Sequence, residues 1–185
     1  ARLQDSEVHS MIDTTILNSG EKDMVDFLSK GRFDRARARN AHLRKMGTSK
    51  DNYFADRIGM YAELAFAKMT NNYPEQVLSP ICNTKESGND LGDVIFDNKK
   101  FDVKSTHHEH GVLWIDKVNK SVDYYVFYVV KELDDTVQAD CKGVISADDL
   151  HSKPMVHRKQ FRFPCMFADQ DELIPWIDFI KRIQN

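Results

Sequence analysis

The sequence predicts an α/β or α+β fold in which a sheet is sandwiched between helices, behind a basic helical N-terminal extension. Three observations carry that expectation. Helical apolar spacing dominates before about residue 71, short β-branched and aromatic runs follow one another from Val94 to Ser146, and a helical pattern returns in "DQDELIPWIDFIKRIQ".

The elements follow in order. "EKDMVDFLSKG" offers Met24, Phe27 and Leu28 at helical spacing, and "FDRARARNAHLRKMG" continues with good helix formers and a closing Gly47. "KDNYFADRIGMYAELAFAKMTNN" reads as a longer helix ending near Asn71, after which Pro74 and Pro80 bracket an extended piece, "EQVLSP". Strands are expected at "VIF", "FDVKS", "VLWI", "DYYVFYVV" and "GVIS". Tyr124 to Val130 is apolar on both faces and therefore suits a central strand covered on both sides. Asp169 and Glu172 have capping-box spacing at the head of the closing helix. A chain of 185 residues is one compact domain with a core of its own, divided here into a basic helical extension (1–52) and the core (53–185).

Composition excludes several classes. Cys82, Cys141 and Cys165 are odd in number, widely spaced and without a CxxC pair, so neither a disulfide framework nor a zinc knuckle is expected. The Tyr124–Val130 run is too short to cross a bilayer and the N-terminus lacks a secretion-signal pattern, so a soluble, cytoplasmic protein with no membrane partner is expected. The formal net charge of −3 is unevenly distributed. Lys30, Arg32, Arg35, Arg37, Arg39, Arg44, Lys45 and Lys50 face the single acid Asp34 in their stretch, a local +7 that leaves −10 elsewhere. Such asymmetry suits a polyanion-binding face or a solvated helix paired with an acidic body.

The chemistry-bearing stretch is "GDVIFDNKKFDVKST", two strand-like runs that carry Asp93, Asp102 and Lys104. In a hairpin that pairs Phe96 with Phe101, Asp93 faces Lys104 and Ile95 faces Asp102. Side chains alternate along a strand and facing residues share a side, so Asp93, Asp102 and Lys104 converge, provided the turn is even. Two carboxylates at 4 Å repel by about 4 kcal/mol at an effective dielectric near 20. One lysine offsets part of that; Mg2+ or Mn2+ suits hard oxygen ligands better. The plain alternative is a surface ion pair. Glu63 is a second feature, since it has Gly59, Ala62, Phe66 and Ala67 around it on its helix, and an ionised carboxylate among such neighbours needs a partner. The consecutive histidines of "STHHEHG" lack metal-ligand spacing, although a loop would be able to turn His107 inward.

With Glu63 in "GMYAELAFAK", Asp93 in "GD" and Asp102 and Lys104 in "FDVKST", the chain resembles the PD-(D/E)XK nuclease superfamily over roughly Asp56 to Leu150. Gly92 stands where that pattern has proline, and Asp102 where it often has glutamate. The resemblance implies a restriction-endonuclease-like central mixed β-sheet flanked by helices. It implies a Mg2+- or Mn2+-dependent endonuclease, DNA the first expected partner, with Glu63, Asp93, Asp102 and the Val103 carbonyl as metal ligands. Lys104 would orient the attacking water. Arg32, Arg35, Arg37, Arg39, Arg44, Lys45, Arg158 and Lys159 would contact phosphates; the last two belong to a second basic cluster, Lys153 to Arg162, interleaved with Phe161 and Phe163. The rivals are a non-catalytic nucleic-acid-binding module of the same fold, an RNA-directed nuclease, and a structure-selective enzyme such as a junction resolvase, for which a homodimer is expected.

Overall fold

The computed structural model describes residues 13–38, 49–72, 93–159, 161 and 163–184. Within them the order is β1 (Thr14–Leu17), α1 (Ser19–Ala38), α2 (Ser49–Met69), β2 (Asp93–Phe96), β3 (Lys99–Thr106), β4 (Leu113–Ile115), β5 (Tyr124–Glu132), β6 (Val137–Ser146), α3 (Ala147–His151), β7 (Met166–Ala168) and α4 (Trp176–Ile183). Five strands form a mixed sheet in the order β1-β6-β5-β3-β2, with β3 and β5 parallel and the other pairs antiparallel. β4 and β7 make a separate antiparallel ribbon. The expected α/β organisation is present. Among the described residues no helix is long and apolar enough to cross a membrane.

β5 takes the central position its two-sided apolar run requires, and each of its faces serves one core. Val126, Tyr128 and Val130 join Phe101, Val94 and the buried face of α2 (Ile58, Tyr61, Ala62, Ala65, Phe66), closed by Trp176 and Phe179 of α4. Tyr125 and Phe127 point the other way, into a core with Leu113, Ile115, Leu150, Met166 and Ala168. β6 serves the first core through Val137, Ala139 and Cys141, then again through Val144, although that residue has the opposite parity. A bulge restores the face: Phe127 pairs with Gly143 and Tyr128 with Cys141, leaving Lys142 as the extra residue.

Three expectations are corrected. Residues 14–17 are not part of a helical prefix, since β1 pairs with β6 from Thr14 opposite Asp140 to Leu17 opposite Val137. The two stretches read as N-terminal helices form one helix through Ala38, with Gly31 in its interior. The closing helix is interrupted. Gln170–Glu172 forms one 3-10 turn, its Glu172 carboxylate accepting from the Asp169 amide at 2.8 Å, and α4 begins only after Pro175. The "EQVLSP" segment lies outside the described residues.

A polar network ties α1 to α2 and β5. The Tyr61 hydroxyl donates to Asp26 Oδ1 at 2.5 Å, and Arg57 Nη2 lies 2.6 Å from Glu132 Oε1. Burial, followed by the bond to Asp26, pushes the Tyr61 hydroxyl well above its ordinary pKa.

Candidate active site

β2 and β3 form a hairpin whose two-residue turn, Asp97 and Asn98, has φ of +48° and +57°. Aspartate and asparagine tolerate this conformation, and two positive φ values suit the strand twist of a tight hairpin. The register is therefore two residues from the expected one: Asp93 faces Asp102, not Lys104, and Ile95 faces Lys100, not Asp102. An even shift preserves parity. Val94 and Phe101 enter the first core together, so positions 93, 102 and 104 share the opposite side of the sheet. Of Asp93 the structure describes the backbone.

On that side Lys104 Nζ donates to both Asp102 oxygens at 2.7 Å, with the side chains 35% and 19% exposed. The pair is thus partly exposed to solvent. The parallel partner of Asp102 is Tyr125, and the Lys104 ammonium stands 6.0 Å from the centre of the Tyr125 ring. The Tyr125 hydroxyl in turn lies 3.0 Å from His151 Nε2, at the end of α3. Tyr125 and His151 carried no signal of a site role in the sequence. Tyr125 lies inside an apolar run, and its adjacency to Asp102 depends on a parallel pairing across a long crossover.

Glu63 is only 9% exposed, on α2. That helix covers the sheet face to which Phe101 and Val103 turn, with Phe66 and Phe101 ring centroids 5.3 Å apart. Glu63 and the Asp102–Lys104 pair therefore belong to opposite sides of β3. His107 also turns to the α2 side, its ring 5.0 Å from that of Phe54; burial and neighbouring His108 lower its pKa. Glu109 pairs with Lys131, which holds its carboxyl below the usual range. Among the described residues no group of three or more His, Cys, Asp or Glu is arranged to hold a metal ion.

Of the expected phosphate contacts, Arg32, Arg35 and Arg37 lie on the C-terminal half of α1, where the structure describes their backbone. Arg39, Arg44 and Lys45 lie outside the described residues. Arg158 and Lys159 lie in the segment before β7, Arg158 stacked over Phe167 and Lys159 exposed. No protein-family model, curated protein or solved structure matches the chain.

Proposed function

We propose that the chain is a Mg2+-dependent nuclease with a restriction-endonuclease-like core, acting on DNA as an endonuclease. The observation that carries this reading is the β2–β3 register, in which Asp93 and Asp102 occupy facing positions and Lys104 follows on the same side. Two aspartates at facing positions suit a hard divalent cation such as Mg2+ or Mn2+. Asp93 and Asp102 would hold it, with the Val103 carbonyl as a further ligand that the family resemblance implies; Glu63, which the resemblance also implies, stands on the α2 side of β3, away from the pair. A metal bound there supplies charge neutralisation at the phosphate and a water of lowered pKa.

The side chains contribute the rest. Lys104 keeps its ammonium at the Asp102 carboxylate, where it would donate to the attacking water and offset negative charge growing on the phosphate oxygens. Tyr125 and Phe127, their partners on the neighbouring strand, are buried beside the pair on the same face and give it an apolar flank. The basic C-terminal half of α1 would add phosphate contacts that position the substrate without reading bases.

The test is incubation of supercoiled plasmid, linear duplex, single-stranded DNA, a four-way junction and RNA with Mg2+, Mn2+ or EDTA, beside Asp102→Ala and Lys104→Ala. Metal-dependent cutting of at least one substrate, lost in both variants, is expected; the substrate cut distinguishes a general endonuclease from a junction-selective or RNA-directed enzyme. A wild-type chain that binds no Mn2+ by calorimetry and cuts nothing refutes the assignment in favour of a non-catalytic binding module.

A further inference from the structure

The β4–β7 ribbon has an inner and an outer face. Leu113, Ile115, Met166 and Ala168 turn into the core that contains Tyr125, the register partner of Asp102. Trp114 and Phe167, which face each other across the ribbon, alternate to the outside. Phe161 closes over both, its ring centroid 5.1 Å from that of Trp114 and 4.9 Å from that of Phe167. The Arg158 guanidinium lies 4.0 Å from the Phe167 ring centre.

The loop that supplies Arg158 and Phe161 has a defined base. Val156 and Cys165 exchange backbone hydrogen bonds of 2.8 and 3.0 Å, and the His157 Nε2 atom is 2.9 Å from the Phe161 carbonyl oxygen. Its outer surface is apolar and cationic together. Phe163 is 55% and Met155 52% exposed, and Lys159, on the same stretch of chain, is exposed as well. The sequence has no Asp or Glu from residue 150 to 168, yet it carries Lys153, Arg158, Lys159 and Arg162 there. Lys153 is met by Glu172, and Arg158 is met by an aromatic face, which attracts the cation without neutralising it.

This combination separates candidate ligands. A duplex offers phosphates to the cations but keeps its bases stacked on one another, so an exposed phenylalanine gains little from it. An unpaired nucleotide offers a π-face and a phosphate at once. We propose that Arg158, Lys159 and Phe163, described residues of the loop that covers the outer face of the β4–β7 ribbon, form a platform for unpaired nucleotides, with Phe163 stacking a base and Arg158 and Lys159 holding adjacent phosphates. The choice of nucleic acid as ligand rests on the nuclease reading. The platform lies on the same side of the main sheet as Asp102 and Lys104, and it makes single-stranded or locally unpaired nucleic acid the substrate class.

The test is fluorescence anisotropy in EDTA, so that no cleavage intervenes, with labelled oligothymidylate of about 12 nucleotides. A blunt duplex of equal length and phosphatidylserine vesicles serve as competitors. The single strand is expected to bind about tenfold tighter than the duplex. Phe163→Ala should weaken it about 5- to 150-fold, the range for one lost base stack, while Phe163→Trp retains it. Lys159→Gln should reduce the salt slope by about 0.7, as one phosphate contact is lost. Circular dichroism reports the fold of each variant. Unchanged binding by Phe163→Ala, or preference for duplex or vesicles, overturns the platform. If Phe163→Ala still cleaves and still binds the single strand like wild type, the platform falls and the nuclease reading stands. Stacking-dependent binding by a chain that never cleaves supports the platform on its own and removes the catalytic reading.

Discussion

Gly143 is the point at which a single methyl group should cost most. Its φ is +134°, and a Cβ there would lie 2.6 Å from the Ile174 carbonyl oxygen and 2.9 Å from Leu173 Cβ. The neighbouring backbone cannot withdraw freely, because the Val144 amide donates to that oxygen and the Ile174 amide donates to the Val144 carbonyl, both at 2.8 Å. In Gly143→Ala two penalties arise. Holding an L-residue in this region costs about 1–3 kcal/mol. Displacing the 173–174 segment forfeits two backbone hydrogen bonds of about 0.5–1.5 kcal/mol each. Together they amount to about 2–6 kcal/mol, equivalent at this chain size to a Tm lower by roughly 4–24 °C. Urea denaturation followed by circular dichroism measures the loss directly. The displaced segment leads into α4, whose Trp176 and Phe179 pack on Phe101, so the damage should extend to the strand that carries Asp102. A loss below about 1 kcal/mol would refute the reasoning, since neither penalty could then be operating.

Two further outcomes follow from the cores. Phe101→Ala removes a fully buried ring that meets Phe66, Phe96, Tyr124, Trp176 and Phe179, and it should cost about 3–5 kcal/mol in urea titrations. Cys141 is buried, and burial pushes its thiol up to about 12, so the folded protein should resist alkylation at that position at pH 8 and react once unfolded. Because the folded thiol holds its proton more tightly than an exposed one, its contribution to stability is fully present below about pH 9 and is lost as pH rises toward about 12. Alkaline unfolding monitored with Cys141→Ala beside the wild type checks the sign.

Local patterns were legible in the sequence, and distant pairings were not. The apolar run at β5 announced a central strand because burial on both faces demands it. The alternation through Asp93, Asp102 and Lys104 announced a shared face, and it tolerated a turn placed one residue late because any even change of register conserves parity. β1 was missed because four residues carry little period of their own and find their partner, β6, more than a hundred residues away. β7, at three residues, is shorter still. Parallel pairing of Asp102 with Tyr125 depends on how the 107–123 crossover folds back, which no local spacing encodes. Arg158 and Phe161 were recognisable as a basic and aromatic mixture, but stacking on Phe167 arises only when two separate strands form the ribbon beneath them.

The alternation of β3 divides labour within a single strand. Phe101 and Val103 hold the first core together, whereas Asp102 and Lys104, between and beside them, lie partly exposed on the opposite face of the sheet and stay out of that core. Mutation can therefore sample the chemistry of this strand while the scaffold is left almost untouched. A substitution at 102 or 104 is expected to leave the first core intact, so that on the proposed reading it removes the chemistry without removing the fold. On the proposed reading a catalyst and a binding protein are in this sense adjacent in sequence space.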